Sequence, residues 1–231
     1  MDMDQVEVQL EGEKLNISTG ATAVAVEESA SAAGQLLVLG DDGGLGEHSV
    51  VYLLDVATGH CVRQLDLLHS RVESAAARLP DGHIVCAGGF DGAADRMSAE
   101  VWVPPEPPAQ GAVGAAWTRR ELPNMSVARY GCCGCVMSDG RFAVLGGCDP
   151  LDYDGISSCE ALAIGVGEHW RSLPAMHDSR VHAACIIVTG GHRRKSSEVY
   201  CEELNLWFRL LFDLPCVGDG TRYMGMGSFL W

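Results

Sequence analysis

The chain has 231 residues with 31 acidic and 16 basic side chains, giving a formal net charge of −15. This acidic balance disfavours nucleic acid and anionic membranes as partners, because both would be repelled. No apolar run reaches about 18 residues, so the sequence predicts no membrane span. The acidic opening residues, with no apolar segment after them, predict no secretory signal. We therefore expect a cytoplasmic or nuclear protein.

Residues 1–22 form an N-terminal segment that precedes the repeated part of the chain. Within it, residues 6–10 (VEVQL) alternate apolar with polar side chains. This period of two is typical of a half-buried strand. The segment is too short to supply a blade, but it could supply one added strand.

A short sequence motif then recurs along the chain. Residues 80–89 (PDGHIVCAGG) return as residues 138–147 (SDGRFAVLGG), and a weaker copy occupies residues 34–41 (GQLLVLGD). In the two full copies Asp-Gly predicts a hairpin turn. The apolar run that follows predicts a strand buried on both faces. The glycine doublet then allows a backbone conformation that side chains would obstruct.

Further characteristic residues accompany each copy of this motif in a fixed order. An arginine stands 17 residues before the first glycine of the doublet in two copies, at Arg71 and Arg129. After the doublet come a variable loop, a Ser- and Glu-bearing segment, a tryptophan, Leu-Pro and the next arginine. The tryptophans are Trp117, Trp170 and Trp207. This order predicts a four-stranded antiparallel sheet in each repeat, with the tryptophan filling the gap between sheets.

In these recurring residues and their order, the chain resembles the kelch repeat over residues 23–231. The resemblance implies an all-β fold, a kelch-type β-propeller with about four recognisable blades. We expect blades at residues 23–70, 71–128, 129–179 and 180–221, and the start of a further repeat at 222–231. Kelch propellers have five to seven blades, so we expect an incomplete or open arc. In the fourth repeat Arg180 stands 10 residues before Gly190 instead of 17, so that blade should be defective.

The arginines that open the repeats are candidate binding residues. In peptide-binding kelch domains this turn faces the mouth of the channel, and the resemblance carries that role to this chain. Guanidinium groups there would bind carboxylates, so the expected partner is a protein or an acidic peptide. The alternative is that the arginines tie adjacent blades by pairing with acids or backbone carbonyls. The candidate binding residues, with the neighbouring aromatic side chains, are Arg71, Arg129, Tyr130, Arg180, His182, Arg222 and Tyr223.

Ten cysteines are expected as reduced thiols in such a compartment. Residues 132–135 (CCGC) contain one CxxC, which is typical of half a zinc site or a redox pair. The aligned positions of the other repeats carry small residues, which favours a closely packed strand instead. The sequence has no G-x-S-x-G, phosphate-loop or H-E-x-x-H motif. We therefore expect no metal and no cofactor.

Two classes of function fit these observations. The resemblance implies an interaction module, for example the substrate-recognition part of a larger assembly such as a ubiquitin ligase. The alternative is a kelch-type propeller enzyme such as a sugar isomerase or an oxidase. The marked repeats, without a catalytic set, favour the interaction module. A propeller alone does not fix a function.

Overall fold

The computed structural model describes residues 6–9, 14–17, 22–26, 34–41, 49–64, 66–94, 96–104, 117–149, 155–165, 167–183, 187–189 and 196–211. Regular structure in these ranges is β-strand throughout, which confirms the predicted all-β class. None of these ranges contains a helix that could cross a membrane. The start of a further repeat, with Arg222 and Tyr223, lies outside the described residues.

The N-terminal segment forms a hairpin instead of a single added strand. Strand β1 (Val6–Gln9) pairs antiparallel with β2 (Lys14–Ile17) as a separate two-stranded sheet. Val6 lies opposite Ile17, and Val8 lies opposite Leu15. The second alternating stretch, residues 14–17, therefore provides the pairing partner that the sequence analysis did not consider.

Four further antiparallel sheets follow in chain order, one in each repeat. The first contains β3 (Thr22–Ala25), β4 (Gln35–Asp41), β5 (Ser49–Asp55) and β6 (Cys61–Arg63). The second contains β7 (Ala75–Arg78), β8 (Ile84–Ala87), β9 (Ala99–Val103) and β10 (Thr118–Leu122). The third contains β11 (Cys133–Val136), β12 (Phe142–Leu145), β13 (Cys159–Leu162) and β14 (Trp170–Leu173). The fourth contains β15 (Ile187–Thr189), β16 (Ser197–Cys201) and β17 (Leu206–Arg209).

The fourth sheet has three strands in the described part of the chain, whereas the others have four. Its strands correspond to the second, third and fourth strands of the preceding sheets. This agrees with the short spacing between Arg180 and the fourth glycine doublet, which leaves too few residues for a full first hairpin.

Neighbouring sheets pack face to face and bury an apolar core at each junction. Strand β8 shows why its sequence is apolar throughout. Ile84 and Cys86 lie in the core shared with the first sheet, while Val85 and Ala87 lie in the core shared with the third. All four residues are buried, as is every residue of the equivalent strand β12.

The tryptophans of successive sheets link each sheet to the one before it. The Trp170 indole N–H donates to the Pro123 carbonyl at 2.7 Å, and that of Trp207 donates to the Pro174 carbonyl at 2.9 Å. Each acceptor belongs to the Leu-Pro pair of the preceding repeat. Trp117 and Trp207 are buried, whereas Trp170 is half-buried and contacts Phe142 edge-on.

The glycine doublets lie against the backbone of the next repeat. The Gly89 N–H donates to the Arg129 carbonyl, and the Gly147 N–H donates to the Arg180 carbonyl, both at 2.8 Å. A Cβ on Gly146, whose φ is +61°, would stand 2.6 Å from the Arg180 carbonyl oxygen. Two constraints therefore require glycine in the doublet: a left-handed backbone and the close approach of a neighbouring carbonyl.

We expect Gly146→Ala to lower the free energy of unfolding by about 2–5 kcal/mol, since it combines left-handed strain with overpacking. The matched control is Gly140→Ala. Gly140 has a φ of +83°, but a Cβ there would meet nothing within 4 Å. The control should lose about 1–2 kcal/mol. Urea denaturation of both variants measures the difference, and equal losses would contradict the close approach.

Candidate functional site

The three described arginines that open repeats are buried. Arg71, Arg129 and Arg180 are at most 1% exposed. One terminal nitrogen of Arg129 donates to the carbonyls of Gly146 and Ser158, both at 2.9 Å. The corresponding nitrogen of Arg71 donates to the carbonyls of Gly88 and Ser98, both at 2.8 Å. The Arg71 and Arg129 side chains therefore hold the glycine doublet of their own repeat beside the start of the third strand. Arg180 makes the equivalent bond to the Ser196 carbonyl, at 2.7 Å.

A buried glutamate accompanies each of these arginines. The closest nitrogen–oxygen distances are 3.6 Å for Arg71 and Glu100, 2.8 Å for Arg129 and Glu160, and 2.9 Å for Arg180 and Glu198. Each carboxylate also accepts the backbone N–H of the residue three before the arginine. These donors are Leu68, Ser126 and His177, at 3.0, 3.0 and 2.8 Å.

This geometry favours the second interpretation of the arginines. Their guanidinium groups are enclosed and already bonded to carbonyl and carboxylate oxygens, so they offer no surface to a partner's carboxylate. The side chains pair with acids and carbonyls of their own repeat rather than of an adjacent blade. The link to the preceding repeat is made by the carbonyls of Arg129 and Arg180, which accept from its doublet. Arg222, the fourth candidate arginine, lies outside the described residues.

Glu198 shows how such a carboxylate stays charged when buried. Burial alone would raise the pKa of Glu198. Hydrogen bonds from the His177 backbone N–H, the Arg180 guanidinium, the His177 ring and the Asp178 N–H outweigh that effect and hold its pKa below the usual range.

Two residues after each arginine lies a turn residue with a left-handed backbone. We call Glu73, Gly131 and His182 the turn row; their φ values are +55°, +57° and +55°. The Gly131 N–H donates to the Glu73 carbonyl at 2.9 Å, and the His182 N–H donates to the Gly131 carbonyl at 2.7 Å. The row therefore runs as one hydrogen-bonded line across the second, third and fourth repeats.

Side chains of the second and fourth repeats meet over the central glycine of the turn row. His182 Nε2 lies 3.6 Å from Glu73 Oε2, and both side chains are about one-third exposed. A Cβ on Gly131 would stand 2.9 Å from His182 Cε1. The glycine is thus the residue that lets this acid and this imidazole approach each other.

An aromatic pair lies beside the turn row. Phe90 pairs with Val72 through an isolated bridge, and Tyr130 pairs with Cys148 in the same way. The rings of Phe90 and Tyr130 are 6.2 Å apart between centroids and tilted by 52°. Both residues are half-buried.

The candidates Tyr130 and His182 therefore lie on one face with two residues that the sequence analysis missed. Glu73 stands at the same offset from its arginine as His182, and Phe90 directly follows a doublet. These offsets are the sequence signal that could have identified them.

A separate cleft of about 390 Å³ is lined by residues including His69, Arg96, Met97 and Asn124. His69 Nε2 lies 3.0 Å from Glu121 Oε1 in its wall. The Arg96 guanidinium is engaged by Asp91. The cleft is open and has a mixed polar and apolar lining, and none of its lining residues is a candidate binding residue of the sequence analysis.

The CxxC candidate does not form a reactive pair. Burial raises the pKa of Cys132 to about 11 and that of Cys135 to about 12, so both remain thiols at neutral pH. Cys133 forms a disulfide, which corrects the expectation of ten reduced thiols. Strand β11 places this side chain in the junction with the fourth sheet. Within the described ranges no three His, Cys, Asp or Glu side chains gather as metal ligands.

No family model matches the chain, and no curated protein matches it either. The kelch resemblance therefore depends on the marks within this sequence.

We expect Arg129→Ala to lower the free energy of unfolding by about 3–5 kcal/mol, because it leaves the Glu160 carboxylate buried without its cation. The control is Arg63→Ala, whose pair with Asp66 is about half exposed and should contribute within about 0.5 kcal/mol. Urea denaturation compares the two variants. An unchanged transition in Arg129→Ala would show that the arginine is not buried.

Acid should weaken the fold in part through Glu198. A lowered native pKa stabilises the fold above the unfolded value of about 4.3, and that contribution is lost as the pH falls through the native pKa. Between about pH 5 and pH 3, wild type should therefore lose more stability than Glu198→Gln, which cannot titrate at this position. Denaturation across this range measures both slopes, and parallel slopes would contradict the lowered pKa.

Proposed function

We propose that the chain is a kelch-type β-propeller module that binds a protein partner through the face bearing the turn row and the aromatic pair. One observation carries this proposal. The second, third and fourth repeats share the same buried arginine–glutamate scaffold, yet the residue displayed at the turn row changes from glutamate to glycine to histidine. A constant frame with variable exposed residues is the arrangement expected of a recognition surface.

The packing of the sheets supports the propeller. The first strands of consecutive sheets lie against each other, β3 beside β7 and β7 beside β11. Because the sheets also pack face to face, this arrangement is the one expected of blades around a common inner edge. The three strands of the fourth sheet in the described residues are consistent with an open arc.

The chemistry of the face indicates the kind of partner. The described arginines are paired with buried glutamates, so an acidic peptide held by them is not supported. The face displays two aromatic rings, a carboxylate and an imidazole, which suit an apolar side chain next to a hydrogen-bonding or basic group. The net charge of −15 would also attract a basic partner. A role as the recognition part of a larger assembly, such as a ubiquitin ligase, is consistent with this proposal.

Affinity capture followed by mass spectrometry tests the proposed face. The variant is Glu73→Lys/Phe90→Ser, and the matched control is Asp81→Lys in the exposed hairpin turn of the same sheet. We expect proteins captured by wild type and by the control to be lost from the double variant. Direct titration of each candidate should then show binding weaker by about tenfold or more, the scale of a lost aromatic contact. Equal affinity of the double variant at matched folding would exclude this face.

A further inference from the structure

A second surface lies at the outer edge of the fourth sheet, away from the turn row. Four large apolar side chains are exposed there within eight residues: Leu204 at 60%, Leu206 at 52%, Phe208 at 43% and Leu211 at 106%. We call these four residues the terminal patch. Leu206 and Phe208 alternate with the buried Trp207 along β17, so they point to the face opposite the third sheet.

The same strand positions in the second and third sheets are polar. Strand pairing sets the equivalence, since Glu100, Glu160 and Glu198 lie opposite Glu121, Ser172 and Arg209. By this register Phe208 corresponds to Arg120 and Arg171. Leu206 likewise corresponds to Thr118 and His169. The fourth sheet has therefore exchanged charged or polar residues for apolar ones at two exposed positions.

In the second sheet, this position makes a contact between sheets. Arg120 donates to both carboxylate oxygens of Glu168, which precedes β14 of the third sheet, at 3.0 and 2.6 Å. No further sheet follows the fourth one in the described residues. The position that in the second sheet holds the next sheet by charge is thus apolar and exposed in the fourth sheet. An exposed apolar cluster of this kind marks an interaction surface.

Exposed acidic charge lies at one end of the terminal patch, where Glu203 is next to Leu204. Glu202 instead turns toward the third sheet, where its carboxylate accepts the Ser138 N–H and hydroxyl. The neighbouring cation, Arg209, donates to Asp178 at 3.0 Å. A second copy of this chain, with its own charge of −15, would be repelled from such a rim.

We propose that the terminal patch docks a partner protein that presents an apolar surface flanked by lysine or arginine. Leucine and phenylalanine side chains supply the buried contact, while Glu203 and the net charge of −15 favour basic neighbours. This surface is separate from the face in the proposed function, so the two can fail independently.

A short labelled peptide of alternating leucine and lysine serves as the probe, with alternating leucine and glutamate as its counterpart. Fluorescence anisotropy measures binding to the full chain. The test variant is Leu206→Thr/Phe208→Thr, which leaves the charge unchanged. The control is Val62→Thr, because Val62 is also an exposed apolar residue on an outer strand, 45% exposed. We expect the leucine–lysine peptide to bind wild type and the control equally and the double variant about tenfold more weakly or worse.

The glutamate-containing peptide should bind wild type at least about tenfold more weakly than the lysine peptide. Leu211→Ser provides a second variant, since this fully exposed side chain makes little contribution to folding. It should also weaken binding of the leucine–lysine peptide.

Equal binding by wild type and both variants overturns the proposal. So does a dimer of wild type that becomes monomeric in the double variant, which would make a second copy the occupant. Binding that appears only after deletion of residues 212–231 would assign the surface to the chain itself.

Discussion

The close contact between a glycine doublet and the arginine backbone of the next repeat determines most of this architecture. The Arg129 carbonyl accepts the Gly89 N–H, while a Cβ on Gly88 would lie 2.6 Å from the same oxygen. Any side chain at the doublet would therefore push the neighbouring repeat away. The Arg129 side chain also binds the doublet of its own repeat, through the Gly146 carbonyl. Arginine at this position therefore fixes both the packing within its repeat and the junction with the preceding repeat.

Burial of the arginines changes how the charge of the protein should be understood. Three arginines that could have formed a positive site are paired with three glutamates, so each pair contributes no net charge to the surface. The overall balance of −15 is consequently displayed outward. Breaking a buried pair leaves an uncompensated charge in the interior. In the proposed function, these arginines contribute by holding in place the segments that carry the turn row.

Sequence patterns predicted the strands better than they identified the exposed side chains of the candidate site. Ile84–Ala87 and Phe142–Leu145 are apolar because both faces are covered, and the doublets and Asp-Gly turns give their ends. The same patterns could not show that Arg129 points inward, because an arginine before a strand suits a channel mouth and a buried tie equally well. Glu73 and Phe90 were missed because their importance comes from contacts with other repeats. The strand β2 was missed because its partner, residues 6–9, also suited addition to another sheet.

The direction of these contacts has a consequence for synthesis on the ribosome. The doublet of the second repeat needs the Arg129 carbonyl of the third, and the doublet of the third needs the Arg180 carbonyl of the fourth. A repeat that has just emerged from the exit tunnel therefore lacks the acceptor that closes its glycine end. Its hairpins can form, but the repeat becomes locked only when the following arginine appears. Maturation should thus trail translation by one repeat, and a pause before Arg129 has left the tunnel would keep the Gly89 N–H without its acceptor.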